Sequence, residues 1–95
     1  MSVYLSVAIT LKDRETFTEY GVKARPLFAE YGAEPVMVGQ VAGHLHGTSD
    51  HHLEVIARFP DREALENWYA SPAYQALIPL RDKGADVVFK IVEPL

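Results

Sequence analysis

Two stretches of alternating hydropathy, two helical stretches and their order along the chain predict an α+β fold of the ferredoxin-like type, β-α-β-β-α-β. A four-stranded antiparallel sheet then carries both helices on one face, because right-handed crossovers and short connections favour that arrangement. The 95 residues suit a single domain spanning 1–95.

The first strand is read from Val3, Leu5, Val7, Ile9 and Leu11, which alternate with Tyr4, Ser6, Ala8 and Thr10. Asp13 is a good N-cap for the helix that follows. There Phe17, Tyr20, Ala24, Leu27, Phe28 and Tyr31 recur at three- and four-residue spacing, the stripe of an amphipathic helix. Pro26 falls inside that stripe and predicts a kink or two abutting pieces, since it removes one backbone bond and crowds the preceding turn. Gly32 is placed to end the helix in a left-handed conformation. Val36 to Val41 reads as a second, less regular strand. Ala42 to His51, AGHLHGTSDH, reads as a loop between neighbouring strands. Leu53, Val55, Ala57 and Phe59 alternate with Glu54, Ile56 and Arg58 as a third strand. From Asp61 a helix runs through Trp68-Tyr69 to a break at Ser71-Pro72. Ser is a capping residue there, and Pro at the next position lacks an amide that would have been unpaired anyway. A second short helix carries Tyr74-Gln75, Gly84 closes it, and Asp86 to Glu93 is the last strand.

These assignments fix two faces of the sheet. The uniformly apolar set of the first and third strands lies under the helices. The opposite face shows Tyr4, Ser6, Ala8, Thr10, Glu54, Ile56 and Arg58, with Val88, Lys90 and Val92 from the last strand. That face is too apolar for bare solvent and too polar for a monomer core. A second sheet from an identical subunit satisfies both observations, so the expected assembly is a homodimer closing into an α+β barrel.

Composition narrows the function classes. Of the residues, 48% are hydrophobic and 23% charged, as in an ordinary globule, and the net charge of −4 argues against binding a phosphate backbone. There is no Cys, hence no disulfide framework or thiol chemistry. No apolar run reaches the length needed to span a bilayer, and Met1-Ser2-Val3 leads straight into a strand pattern. A cytoplasmic location is expected, with neither nucleic acid nor membrane as partner.

The segment WYASPAYQALIPLR, with Tyr20, Tyr31-Gly32, Phe59-Pro60 and Arg81, resembles the DUF1330 family of the dimeric α/β-barrel superfamily, and does so over essentially the whole chain. Members commonly carry Arg-Gly-Gly in the second strand, where this chain has Val38-Gly39-Gln40. They often have Glu before Phe-Pro, where this chain has Arg58. The resemblance implies the fold and dimerisation rather than a reaction. Superfamily relatives include cofactor-free monooxygenases, isomerases and haem-degrading enzymes, and sharing their fold does not confer their activity.

Several residues are candidates for chemistry. Trp68, Tyr69 and Tyr74 can wall an apolar pocket with phenol or indole donors, or simply pack the helix on the sheet. Position favours Trp68 in the core and Tyr74 at a pocket edge. Arg81, two turns beyond Tyr74, can clamp a carboxylate or form a surface ion pair. Glu54, Arg58 and Lys90 share the second sheet face, as a polar site or as an ion-pair network at the dimer interface. His44, His46, His51 and His52 surround one loop, and H-x-H can bind a transition metal, but without a third ligand the loop reads as a solvated tip. Tyr20 and Tyr31 read as core. The resulting expectation is a protein of uncharacterised function that holds a small, mainly apolar molecule between sheet and helices, with no cofactor and no metal. The alternatives are a cofactor-free enzyme, monooxygenase- or isomerase-like, on a small aromatic or carbonyl compound, and a structural dimer without ligand.

Overall fold

Alternating hydropathy puts β1, Val3–Leu11, at the centre of the sheet in the computed structural model, which describes residues 1–95. It is followed by α1 (Arg14–Glu30), β2 (Glu34–Gln40), β3 (Leu53–Phe59), α2 (Arg62–Ala70), α3 (Pro72–Gln75), α4 (Ile78–Gly84) and β4 (Ala85–Val92). The strand order is β2-β3-β1-β4, with every neighbouring pair antiparallel. The expected ferredoxin-like β-α-β-β-α-β fold is therefore observed, with the second helical stretch divided into three pieces rather than two.

The local signals act where their chemistry requires. The Asp13 side chain accepts the Thr16 amide at 3.4 Å and starts α1, and Asp61 accepts the Ala64 amide at 2.8 Å and starts α2. Gly32 sits at φ 81°, where the Ala33 amide reaches back to the Phe28 carbonyl and closes α1. Pro26 does not divide α1, which runs unbroken over 17 residues. Pro26 is exposed, and Val22, whose carbonyl loses its partner, is 56% exposed, so water can satisfy the freed group. Strand β2 begins two residues before the expected Val36. It is an edge strand, and a register irregularity between Pro35 and Met37 accommodates the proline.

Register sets the faces. Leu5 stands opposite Ala57 and Ile91, and Val7 opposite Val55 and Phe89. Val3, Leu5, Val7, Ile9, Ala57 and Phe59 are buried with Tyr20 and Ala24 of α1, Leu65 and Trp68 of α2 and Tyr74 of α3. The other face pairs Tyr4 with Arg58, Ser6 with Ile56 and Lys90, and Ala8 with Glu54 and Val88. On that face Met37, Val88 and Val92 remain more than two-fifths exposed. No helix is long and apolar enough to cross a membrane.

Candidate functional site

Ser71 organises the break between α2 and α3. Its hydroxyl donates to the Trp68 carbonyl at 2.7 Å and accepts the Tyr74 amide at 3.2 Å, which turns the chain and drives both aromatic rings inward. Trp68 and Tyr74 are fully buried, with ring centroids 4.4 Å apart, and Phe28 stacks on Trp68 at 4.6 Å. The core position expected for Trp68 is observed. The pocket edge expected for Tyr74 is not. Its phenol is deep in the core, because its polar partners also come from the core. The Trp68 indole N–H is the one buried side-chain polar atom without a partner.

Those partners form a chain of hydrogen bonds. Arg81 Nη1 donates at 3.2 Å to both Tyr69 Oη and Tyr74 Oη, and Tyr74 Oη lies 2.7 Å from Tyr20 Oη. Arg81 is only 8% exposed and packs 5.0 Å from the centre of the Phe89 ring. It does reach an acidic neighbour, through Nε to Asp82 at 3.0 Å, but from a buried side chain rather than from the surface. Burial works against the guanidinium charge, yet the bonds to Tyr69, Tyr74 and Asp82 outweigh it and its pKa is raised. Burial also pushes the Tyr20 phenol far above its ordinary value, aided by the adjacent Tyr74 hydroxyl. Burial raises Tyr74 too, against the opposing pull of its bonds to Tyr20 and Arg81. Both phenols therefore keep their protons at neutral pH.

Donor counting fixes the direction of the chain. Arginine has no acceptor, so Tyr74 Oη accepts from Arg81. The Tyr74 hydrogen has one oxygen in reach, that of Tyr20, and an orphaned donor in a fully buried site costs about 1–3 kcal/mol. Tyr74 therefore donates to Tyr20, and the Tyr20 hydroxyl is left with a free hydrogen.

Tyr20 borders a cavity. Between α1 and the sheet lies a space of about 390 Å³, within the range of small-molecule sites. Phe17, Phe28, Val7, Ile9, Val55 and Phe89 line it, Pro35 and Val38 of the edge strand form its outer wall, and its only charged lining residue is Arg25. The space exists because small residues stand where core side chains would otherwise meet: Gly21, Ala24 and Ala29 on α1, with Ala33 and Ala57 opposite. An added Cβ on Gly21 would meet nothing closer than Arg25 Nη1 at 3.8 Å. A second hollow of about 450 Å³ lies against α2, walled only by that helix and by β1 and β4. Trp68 and Tyr69 line it with Leu5, Leu65 and Phe89.

The remaining candidates lie elsewhere. Arg58 pairs with Glu34 across β2 and β3, while Glu54 and Lys90 take part in no ion pair. Glu54 and Arg58 are on the sheet face away from both hollows. His44 and His46 are exposed. His51 Nδ1 lies 3.0 Å from Thr10 Oγ1, and His52 Nε2 accepts the Leu11 amide at 3.4 Å, which ties the loop to the end of β1. No three His, Asp or Glu side chains are gathered as a metal site. Sequence reasoning missed Gly21 and Arg25. The available signal was a glycine in the middle of a helix, where it costs about 1 kcal/mol relative to alanine.

Comparison with known proteins agrees with the architecture. The family model described as "Domain of unknown function (DUF1330)" matches residues 2–95. A protein of unknown function from Rhodopseudomonas palustris superposes with a TM-score of 0.83 at 23% identity, covering 99% of this chain and 82% of its own. A dimeric ferredoxin-like protein of unknown function from Jannaschia superposes at 0.78 with 14% identity, covering 99% and 100%. SnoaB, a cofactor-independent oxygenase from Streptomyces nogalater, superposes at 0.73 with 14% identity, covering 99% and 93%. Such identities show a shared fold and nothing finer. No curated protein matches.

Proposed function

We propose, from the premise that the chain belongs to the DUF1330 family, that it binds a small, mainly apolar molecule in the cavity between α1 and the sheet. The carrying observation is the unused hydrogen of the hydroxyl of Tyr20, a residue that lines this largely apolar space. A bound molecule with a carbonyl or ether oxygen accepts that hydrogen while its apolar body fills the gap. Tyr74 and Arg81 are positioning residues, since they act on the ligand only through Tyr20. Trp68 holds the cluster together and walls the second hollow with Tyr69.

A second reading, a cofactor-free enzyme acting on a small aromatic or carbonyl compound, is favoured by the same hydroxyl. A donor polarised by a buried guanidinium is suited to stabilising negative charge on a carbonyl oxygen. Binding is placed first because no Asp, Glu or His lines the cavity to serve as a base.

The test is titration with 2-acetylnaphthalene, followed by calorimetry. The wild type binds it, and Gly21→Leu, whose side chain occupies the cavity, loses at least tenfold in affinity while remaining folded. Failure of the wild type to bind, or unchanged binding by Gly21→Leu, refutes the site.

The uncovered sheet face, with Ile56, Met37, Val88 and Val92 among polar residues, is the surface we assign to a second copy of the chain. Sedimentation should give twice the chain mass, and Ile56→Asp should reduce it to one chain. A wild-type monomer at micromolar concentration defeats this assignment.

A further inference from the structure

We infer that the ligand is an acid: an apolar molecule with a carboxylate at the Arg25 end and a second, hydrogen-bond-accepting oxygen at the Tyr20 end. This inference rests on the binding reading of the cavity given above. Arg25 is the one charged residue in the cavity lining, and it has neither an ion-pair nor a hydrogen-bond partner within the chain. Its helical neighbours explain why. One turn away in either direction stand Gly21, Val22, Phe28 and Ala29, none of them acidic, although the chain holds 13 acidic against 9 basic residues. Lys23, two positions earlier on the same helix, has Glu19 one turn back and is paired with it at 3.5 Å. Of the three cations of α1, Lys23 is neutralised by its own helix, while Arg14 at the first turn and Arg25 beside the cavity are not, and of these only Arg25 lines the cavity.

Placement adds the second half of the inference. In an α-helix, positions five residues apart are separated by about 7.5 Å along the axis and about 140° around it. Tyr20 and Arg25 therefore leave α1 in different directions, which suits a ligand with two polar ends. Tyr20 is buried within, whereas Arg25 is exposed, so the anionic group stays at the mouth and keeps part of its hydration. Gly21 leaves room for the guanidinium, whose Nη1 lies over it. A guanidinium matches a carboxylate with two parallel donors, which favours an acid over a neutral polar group at the same place.

The experiment compares 6-acetyl-2-naphthoic acid with its methyl ester, which have the same body and inner oxygen and differ in charge. By calorimetry at low salt, the wild type should bind the acid about tenfold more tightly than the ester, with the advantage shrinking in 0.5 M salt. Arg25→Gln should erase the advantage, bringing acid affinity to that of the ester. Lys23→Gln, which removes the same charge from α1 outside the cavity, should preserve the advantage. Equal binding of acid and ester by the wild type, or an advantage that survives Arg25→Gln, overturns the acid class while leaving the cavity a binding site. Failure of both compounds to bind the wild type overturns the cavity reading and this inference with it.

Discussion

The two halves of the helical layer cover the same sheet in opposite ways. The α2–α4 half is close-packed along its polar chain, although a hollow of its own lies against α2: Trp68, Ser71, Tyr74, Arg81 and Gly84 are all buried, and the rings of Phe59, Tyr69 and Phe89 crowd Trp68 at 5.5–6.2 Å. The α1 half is hollow, its inward face built around Gly21 and Ala24. The glycines show the contrast most directly. A Cβ on Gly84 would lie 2.7 Å from the Phe17 backbone nitrogen, whereas one on Gly21 would meet almost nothing. The close-packed half fixes the direction of the Arg81–Tyr74–Tyr20 chain, which ends on a residue that lines the α1 cavity.

Three measurements sharpen or break this contrast. If the α2–α4 half is close-packed, Trp68→Ala should cost about 3–5 kcal/mol in urea denaturation. A loss under 2 kcal/mol would mean that the α2 hollow already relieves the packing there. Next in size is Tyr74→Phe, which strands the Tyr20 and Arg81 groups it served and should cost about 1–3 kcal/mol. It should also change the alkaline limb of stability. The pKa values of Tyr20 and Tyr74 are raised on folding, so their contribution is fully present below about pH 10, the unfolded value. It is lost as pH rises above that, because the unfolded chain gives up protons the native state retains, at about 1.4 kcal/mol per pH unit for each tyrosine. Removing Tyr74 should make that decline shallower by about one tyrosine's share. An unchanged slope would mean the phenols are not held protonated by the fold. The smallest effect separates the glycines. Gly84→Ala should destabilise by about 1–3 kcal/mol through overpacking. Gly21→Ala should stabilise by about 0.5–1 kcal/mol through helix propensity. Effects of the same sign would dissolve the distinction between solid and hollow.

The sequence makes the strands and caps legible because their signals are local. Leu53 to Phe59 is read to the residue from its alternation, and Asp13, Asp61 and Ser71 act where their side chains predict. Pro26 misleads because its effect depends on exposure, which spacing does not reveal. Strand β2 starts early for a related reason, since a proline is tolerated at a sheet edge and the edge is known only once strand order is known. The Tyr20–Tyr74 bond joins residues 54 positions apart, so no window of sequence contains it. Tyr20 reads correctly as core, whereas Tyr74 reads as a pocket edge and is fully buried, and the polar chain that links them needs the tertiary structure. The cavity escapes for a different reason. A hydrophobic stripe records which positions face inward and not how much volume they fill, so Gly21 interrupts the pattern instead of marking the site.

The strand order carries a further consequence for the chain as two pieces. Cut within the exposed loop between β2 and β3, it yields one fragment holding β1, α1 and β2 and another holding β3 to β4. All three ladders, β1 with β3, β1 with β4 and β2 with β3, then run between fragments and none within one. The Gly84 carbonyl, which accepts the Lys12 and Asp13 amides at 2.9 and 3.0 Å, and the Tyr20–Tyr74 bond cross the same divide. Neither fragment owns a strand pairing it could fold around. The two are complementary by construction: each is the template for the other's sheet, and a chain nicked in that loop stays one molecule.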